Sequence, residues 1–102
     1  MNVVPTETIE ACRVVLAPDS GDSERASFLT WARETGPLSE VTVEFSGDGF
    51  RDLDSWHDFL QACSQLAARG IRLFFRGETR VLATLRSFGV RPSELVPNPD
   101  LT

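Results

Sequence analysis

The sequence predicts an α/β fold: a four- to five-stranded, mostly parallel sheet with helices packed mainly on one face. Three observations support it. The chain has 102 residues, which suits one domain with one hydrophobic core. Segments in which apolar and polar residues alternate are followed along the chain by segments whose apolar residues have the period of a helix. Alternating strands and helices imply parallel pairing through right-handed crossovers. We therefore expect a single domain over residues 1–102, with its core over about 11–97.

The strand patterns differ in strength along the chain. Val3–Ile9 is a weak edge-strand candidate, because Pro5 lacks a backbone donor and proline is tolerated mainly at sheet edges. Cys12–Leu16 is β-branched and apolar, which is typical of a strand. Val41–Phe45 alternates apolar and polar residues and is the clearest strand. Shorter strand patterns follow at Ile71–Phe75 and Leu95–Val96.

Three segments have the apolar period of a helix. Asp22 or Ser23 can cap the first, and Thr79 can cap the last. Gly70 and Gly89 are suited to ending the second and third helices. The apolar positions are Ala26, Phe28, Leu29, Trp31 and Ala32 in the first helix, Trp56, Phe59, Leu60, Cys63, Leu66 and Ala67 in the second, and Val81, Leu82, Leu85 and Phe88 in the third.

Composition excludes several classes of function. The net charge of -5 argues against nucleic-acid binding, which requires concentrated positive charge. All ten basic residues are arginines, and five of them lie between residues 72 and 91, an asymmetry that suits a charged protein partner. The absence of a long apolar run or a signal-peptide pattern predicts a cytoplasmic protein without membrane insertion. Cys12 and Cys63 are expected to be buried thiols in a reducing compartment.

The segment Val41–Trp56 runs from a strand through a Gly-Asp-Gly loop into an aspartate-capped helix. It resembles the core motif of STAS domains, the family of anti-sigma-factor antagonists and sulfate-transporter tails, in which the loop leads into Phe-x-Asp-Ser-Ser-Gly and a helix. Counting from Asp52 puts large apolar residues at the positions that meet the sheet, whereas counting from Asp54 would bury an unpaired carboxylate. In this register Leu53 occupies the position that the family often phosphorylates, and leucine cannot accept a phosphate.

The resemblance implies a STAS-like fold and a non-enzymatic bacterial protein-interaction module similar to an anti-sigma-factor antagonist in transcription regulation. It implies as partner a kinase-like anti-sigma factor or, in the alternative function of accessory STAS subunit of a lipid-transport ABC transporter, the transporter ATPase. Homodimerisation is left open. The docking surface would comprise the loop from Ser46 to Asp54 and the exposed side of the following helix. The residues expected to bind the partner are Asp48, Phe50, Asp52, Leu53, Asp54, Ser55 and His57.

Two groups of polar residues have side chains that could form a chemical site. Ser55, His57 and Asp58 have catalytic side chains, but steps of two and one on a helix point them in different directions. The carboxylates of Asp48, Asp52, Asp54 and Asp58 have the oxygen ligands that Mg²⁺ prefers, but their spacing does not match an EF-hand. We therefore expect no catalytic residues, metal or cofactor. An enzyme or ligand-binding protein on the same fold would need a pocket that the sequence does not reveal.

Phe74 lies between two inward positions of its strand, so it is expected to face the other side of the sheet, where Val15 could join it. With helices on one face only, that side is open unless the N-terminal strand and the tail, or a partner, cover it.

Overall fold

The computed structural model describes residues 2–5, 11–17, 22–47 and 49–97. Within these ranges the chain forms a five-stranded sheet and three α-helices, which confirms the predicted α/β class. A 3₁₀ turn at Pro92–Glu94 precedes the last strand. In chain order the elements are β1 (Asn2–Pro5), β2 (Ala11–Leu16), α1 (Asp22–Glu34), β3 (Glu40–Phe45), α2 (Leu53–Ala68), β4 (Arg72–Gly77), α3 (Thr79–Ser87) and β5 (Leu95–Pro97).

The strand order across the sheet is the order along the chain, β1-β2-β3-β4-β5. β1 is antiparallel to β2, and every other neighbouring pair is parallel. Each helix therefore connects two adjacent parallel strands, and right-handed crossovers that always step in one direction put all three helices on the same face. The predicted edge strand is present at Asn2–Pro5, whereas the rest of Val3–Ile9 lies outside the described residues.

One face of the sheet forms the core with the helices. Alternate strand residues such as Val14, Val43 and Phe75 are buried there, as the period-2 pattern predicts. Phe59 of α2 is fully buried at the centre, and five aromatic rings lie with their centroids within 6.1 Å of its own. They belong to Phe28, Phe45, Phe50, Trp56 and Phe75.

The inward face of α1 differs from the prediction. Ala26 is exposed, whereas Glu24 is buried one turn before Phe28. The carboxylate of Glu24 is accommodated because its Oε2 accepts a hydrogen bond of 3.0 Å from the backbone N–H of Ala17, just after β2. Asp22 and Ser23 are the first two residues of the helix, so the prediction that one of them caps α1 is wrong.

The other two helices follow their predicted stripes with local corrections. In α2, Ala67 is exposed and Ala62 is buried in its place, because α1 packs beside the helix and shifts its buried stripe. In α3, Thr79 is the first helical residue, so the predicted cap is one residue late. The N-cap is Glu78, which makes no side-chain capping bond. Gly70 and Gly89 follow their helices with φ of 87° and 98°, as expected of C-terminal glycines.

Two long-range polar contacts join α1 to α2. The guanidinium of Arg69, the C-cap residue of α2, donates hydrogen bonds to the carbonyl oxygens of Ala32 (2.9 Å) and Thr35 (2.8 Å). These carbonyls lie at the end of α1, where backbone acceptors lack helical partners. Near the start of the two helices, Arg25 Nη1 lies 3.2 Å from Asp58 Oδ2. The helices are thus tied together at both ends.

The second face of the sheet carries no described helix. Phe74 and Val15 lie on it half-buried, as predicted. Cys12 and Cys63 are free thiols buried in the core, and burial raises the pKa of both. No helix in the described part of the chain has both the length and the apolar character needed to cross a bilayer.

Candidate functional site

The loop between β3 and α2 is held against the helix by Trp56. Gly47 and Gly49 have φ of 97° and 86°, a region that favours glycine. A Cβ at Gly49 would lie 2.7 Å from Cζ2 of Trp56, so the indole ring packs directly on the loop backbone. The indole N–H also donates a 3.0 Å hydrogen bond to the carbonyl oxygen of Phe50. These contacts fix where the chain enters α2.

Asp52 is the N-cap residue of α2, in agreement with the chosen register. Its Oδ2 accepts a 3.2 Å hydrogen bond from the backbone N–H of Ser55, and its Oδ1 accepts a 2.7 Å bond from the Ser55 hydroxyl. The hydroxyl bond is the main cause that lowers the pKa of the Asp52 carboxyl, and the backbone bond adds to it. The helix therefore begins on an ionised carboxylate with a fixed orientation.

Leu53, the first residue of α2, points into solvent. Two large apolar residues are exposed in the described ranges. Leu53 has an exposed fraction of 59%, and Val3 has one of 38%. Arg51, Asp52 and Asp54 are exposed beside Leu53. An apolar side chain surrounded by charged groups is a typical centre for a small protein contact.

The accessible surface continues from Leu53 to the end of α3. His57 lies one helical turn after Leu53 and is exposed on the same side of α2. Its ring is 5.9 Å from that of Phe88 with an interplanar angle of 79°, an edge-to-face arrangement. Phe88 is half-buried after the last turn of α3. We refer to Leu53, His57 and Phe88 as the α2 strip.

Six of the seven predicted binding residues are described, and the structure separates them into two groups. Leu53, Asp52, Asp54 and His57 are exposed. Phe50 and Ser55 are buried, so the expectation that they contact a partner directly is corrected. Their side chains are directed inward because Phe50 joins the aromatic core and Ser55 completes the helix cap. Asp48 lies outside the described residues.

Phe88 was predicted only as an inward-facing residue of α3. Its contact with His57 joins residues 31 positions apart in the chain, and no local pattern signals such a pair. The one available signal was its position immediately before Gly89, where a helix ends and side chains leave the regular buried stripe.

The three residues with catalytic side chain types, Ser55, His57 and Asp58, have separate partners. Ser55 bonds to Asp52, His57 packs on Phe88, and Asp58 pairs with Arg25. They therefore do not form a proton relay in this structure. Within the described ranges, no group of three or more histidine, cysteine, aspartate or glutamate side chains is arranged to hold a metal ion.

Comparison with known proteins adds no family to this description. No protein-family model, curated protein or solved structure matches the chain.

Proposed function

We propose that this protein is a non-enzymatic interaction module of the STAS type, resembling an anti-sigma-factor antagonist, which docks on a protein partner through the start of α2. The observation that carries the proposal is the exposure of Leu53 at 59% on the first turn of a helix whose entry is otherwise rigidly fixed. Exposing a large apolar side chain at a well-ordered position favours recognition, because little conformational freedom is lost on binding.

The proposed docking does not depend on phosphorylation at the start of α2. Leu53 has no hydroxyl group, and the nearest serine along the helix is Ser55. Ser55 is only 3% exposed, and its hydroxyl is engaged by Asp52. A kinase would have to break the helix cap to reach it. The module is therefore proposed to bind constitutively, with any regulation acting elsewhere.

The surface around Leu53 offers both apolar contact and charge. Leu53 and the half-buried Phe88 provide apolar area, with His57 between them. Asp52 and Asp54 add exposed carboxylates at the same helix end. A partner with an apolar pocket rimmed by basic groups would complement this arrangement. Such a pocket, on a kinase-like anti-sigma factor, is the partner surface that we propose.

Affinity capture from the source cells, followed by mass spectrometry and titration of the recovered protein, tests the proposal. Leu53→Ser should weaken binding about tenfold, through loss of an apolar contact. Leu53→Glu should weaken it further, because a carboxylate would be buried without a partner. Gln65→Glu is the matched control, since it adds the same charge at an exposed position further along α2 and should leave binding unchanged.

Recovery of a kinase-like ATPase with a sigma factor would support the antagonist function. Recovery of a transporter ATPase with its permease would instead favour the accessory-subunit function. Equal binding by wild type and Leu53→Glu would contradict the assignment of the docking surface.

A further inference from the structure

The open face of the sheet separates its charges by strand. On this face β3 presents Glu40, Thr42 and Glu44, and β4 presents Arg72, Phe74 and Arg76. The two strands are paired in register, so each of the three β3 residues has a β4 residue directly beside it. The pairs are Glu40 with Arg72, Thr42 with Phe74, and Glu44 with Arg76. An acidic strand thus lies next to a basic one.

The charged groups of this face are not fully used within one chain. Arg13 of β2 pairs with Glu44, but at 3.7 Å from Nε to Oε2, beyond ordinary hydrogen-bond length. The guanidinium of Arg72 lies 5.6 Å from the ring centroid of Phe74. Among the described residues, the Nε atoms of Arg13 and Arg76 are buried without a hydrogen-bond acceptor. Buried donors normally have partners, so the polar groups of this face are incompletely satisfied within one chain.

We propose that a second copy of this chain packs its open face against that of the first. The two copies are related by a two-fold axis that lies in the interface, parallel to the strands and midway between β3 and β4. Such an axis places β3 of each copy opposite β4 of the other at the same height. Glu44 then faces Arg76 of the second copy, Glu40 faces Arg72, and Thr42 faces Phe74. Every contact occurs twice because a two-fold interface is self-complementary. The separation of charge by strand makes the contacts of Glu44 with Arg76 and of Glu40 with Arg72 attractive across the axis.

The size of the face sets the expected strength. Strands about 4.8 Å apart, with about 3.3 Å per residue, give a face of about 20 by 20 Å on each copy. The resulting contact is at the low end of specific interfaces, so the dimer should be weak and reversible. The half-buried Val15 and Val96 on the same face add apolar contact. The helices lie on the opposite side of the sheet, so the α2 strip stays accessible in the dimer.

Sedimentation over a concentration range from about 10 μM to about 1 mM tests the proposal on the purified chain. Wild type should show a reversible monomer–dimer equilibrium. Arg76→Glu should weaken dimerisation by at least about tenfold, because it opposes like charges at both symmetry-related contacts. Glu44→Arg should weaken it similarly. The matched controls Arg86→Glu on α3 and Glu34→Arg on α1 make the same charge changes on the helix side and should leave the equilibrium unchanged.

Mixing the two open-face variants gives the sharpest result. Glu44→Arg carries cations at both positions 44 and 76, and Arg76→Glu carries carboxylates at both. The mixture should therefore form a heterodimer although each variant alone dissociates. If either reversal fails to fold, as judged by circular dichroism, the neutral Glu44→Gln and Arg76→Gln variants should still weaken dimerisation.

Three results would overturn the proposal. A wild type that stays monomeric at about 1 mM would show that the open face does not bind a second copy of this chain. Dimerisation unaffected by the open-face variants would assign it to another surface. Weakened variants that fail to associate on mixing would exclude the two-fold arrangement.

Discussion

The two faces of the sheet are built from the same strands but differ in how deeply their side chains are buried and in whether those side chains are apolar or charged. On the helix-covered face, residues such as Val43 and Phe75 are excluded from water and packed against aromatic rings. On the open face, the neighbouring residues Glu44 and Arg76 are charged and half-buried. Because successive strand residues point to opposite sides, one short segment serves both faces at once. The difference indicates that most of the apolar packing that stabilises the fold lies on the covered face.

Removing an aromatic ring from each face should give the largest contrast. Phe59→Ala deletes a fully buried ring that contacts five others, and we expect it to lower the free energy of unfolding by about 3–5 kcal/mol. Phe74→Ala removes a half-buried ring from the open face and should cost about 1 kcal/mol. Urea denaturation of dilute protein measures both. Equal losses would show that the open face also carries core packing.

A second test lies at the edge of the covered face, where the loop meets Trp56. Gly49→Ala should lower the free energy of unfolding by about 2–4 kcal/mol, because φ of 86° is strained for alanine and the new Cβ would meet the indole at 2.7 Å.

Two other glycines separate the causes of this loss. Gly70 has a similar φ but nothing within 4 Å of an added Cβ, so Gly70→Ala should cost about 1 kcal/mol. Gly36 has open space and no positive φ, so Gly36→Ala should change stability by less than about 0.5 kcal/mol. If Gly49→Ala is no worse than Gly70→Ala, the close packing of the loop on Trp56 is disproved.

A smaller effect than at Gly49 is expected at Asp52, which is exposed at the start of α2. Asp52→Ala should lower the melting temperature by a few degrees near neutral pH, through loss of the helix cap. Because the pKa of the folded carboxyl is lowered, the ionised form stabilises the protein above the ordinary value of 3.8. This contribution disappears as the pH falls through the folded pKa, so the two melting temperatures should converge in acid.

Asp52→Asn keeps an acceptor oxygen without the charge and serves as the control. It should retain part of the stability lost in Asp52→Ala, with little dependence on pH between neutral and acid conditions. A difference between wild type and Asp52→Ala that stays constant down to low pH would contradict the role of the ionised carboxylate.

The sequence predicted those features that depend on local period and spacing. The stripe containing Trp56 and Phe59 placed α2 and identified Asp52 as the motif aspartate, which the structure shows to be the N-cap. Alternation in β4 placed Phe74 on the open face. The failures depended on neighbours distant in sequence or on single-residue boundaries. Glu24 is buried because Ala17 supplies a donor, and α3 begins one residue earlier than the Thr79 cap implied.

The candidate site was predicted in outline for the same reason. Exposure of Leu53 agrees with the place that the family resemblance implied for it, whereas burial of Ser55 depends on the closure of its hydroxyl onto Asp52. The α2 strip includes Phe88 through tertiary packing alone. A linear motif specifies which residues are near each other along the chain, but which of them reaches solvent is decided by the complete fold.

The guanidinium of Arg69 has a consequence for how the protein opens. Arg69 is the C-cap residue of α2, and its guanidinium donates hydrogen bonds to the last carbonyls of α1. Separating the two helices therefore breaks these hydrogen bonds. We therefore expect the two helices to open together in native-state hydrogen exchange, because releasing α1 also breaks the bonds of Arg69. The start of α2, with Leu53 at its tip, is anchored by a helix pair rather than by a single helix.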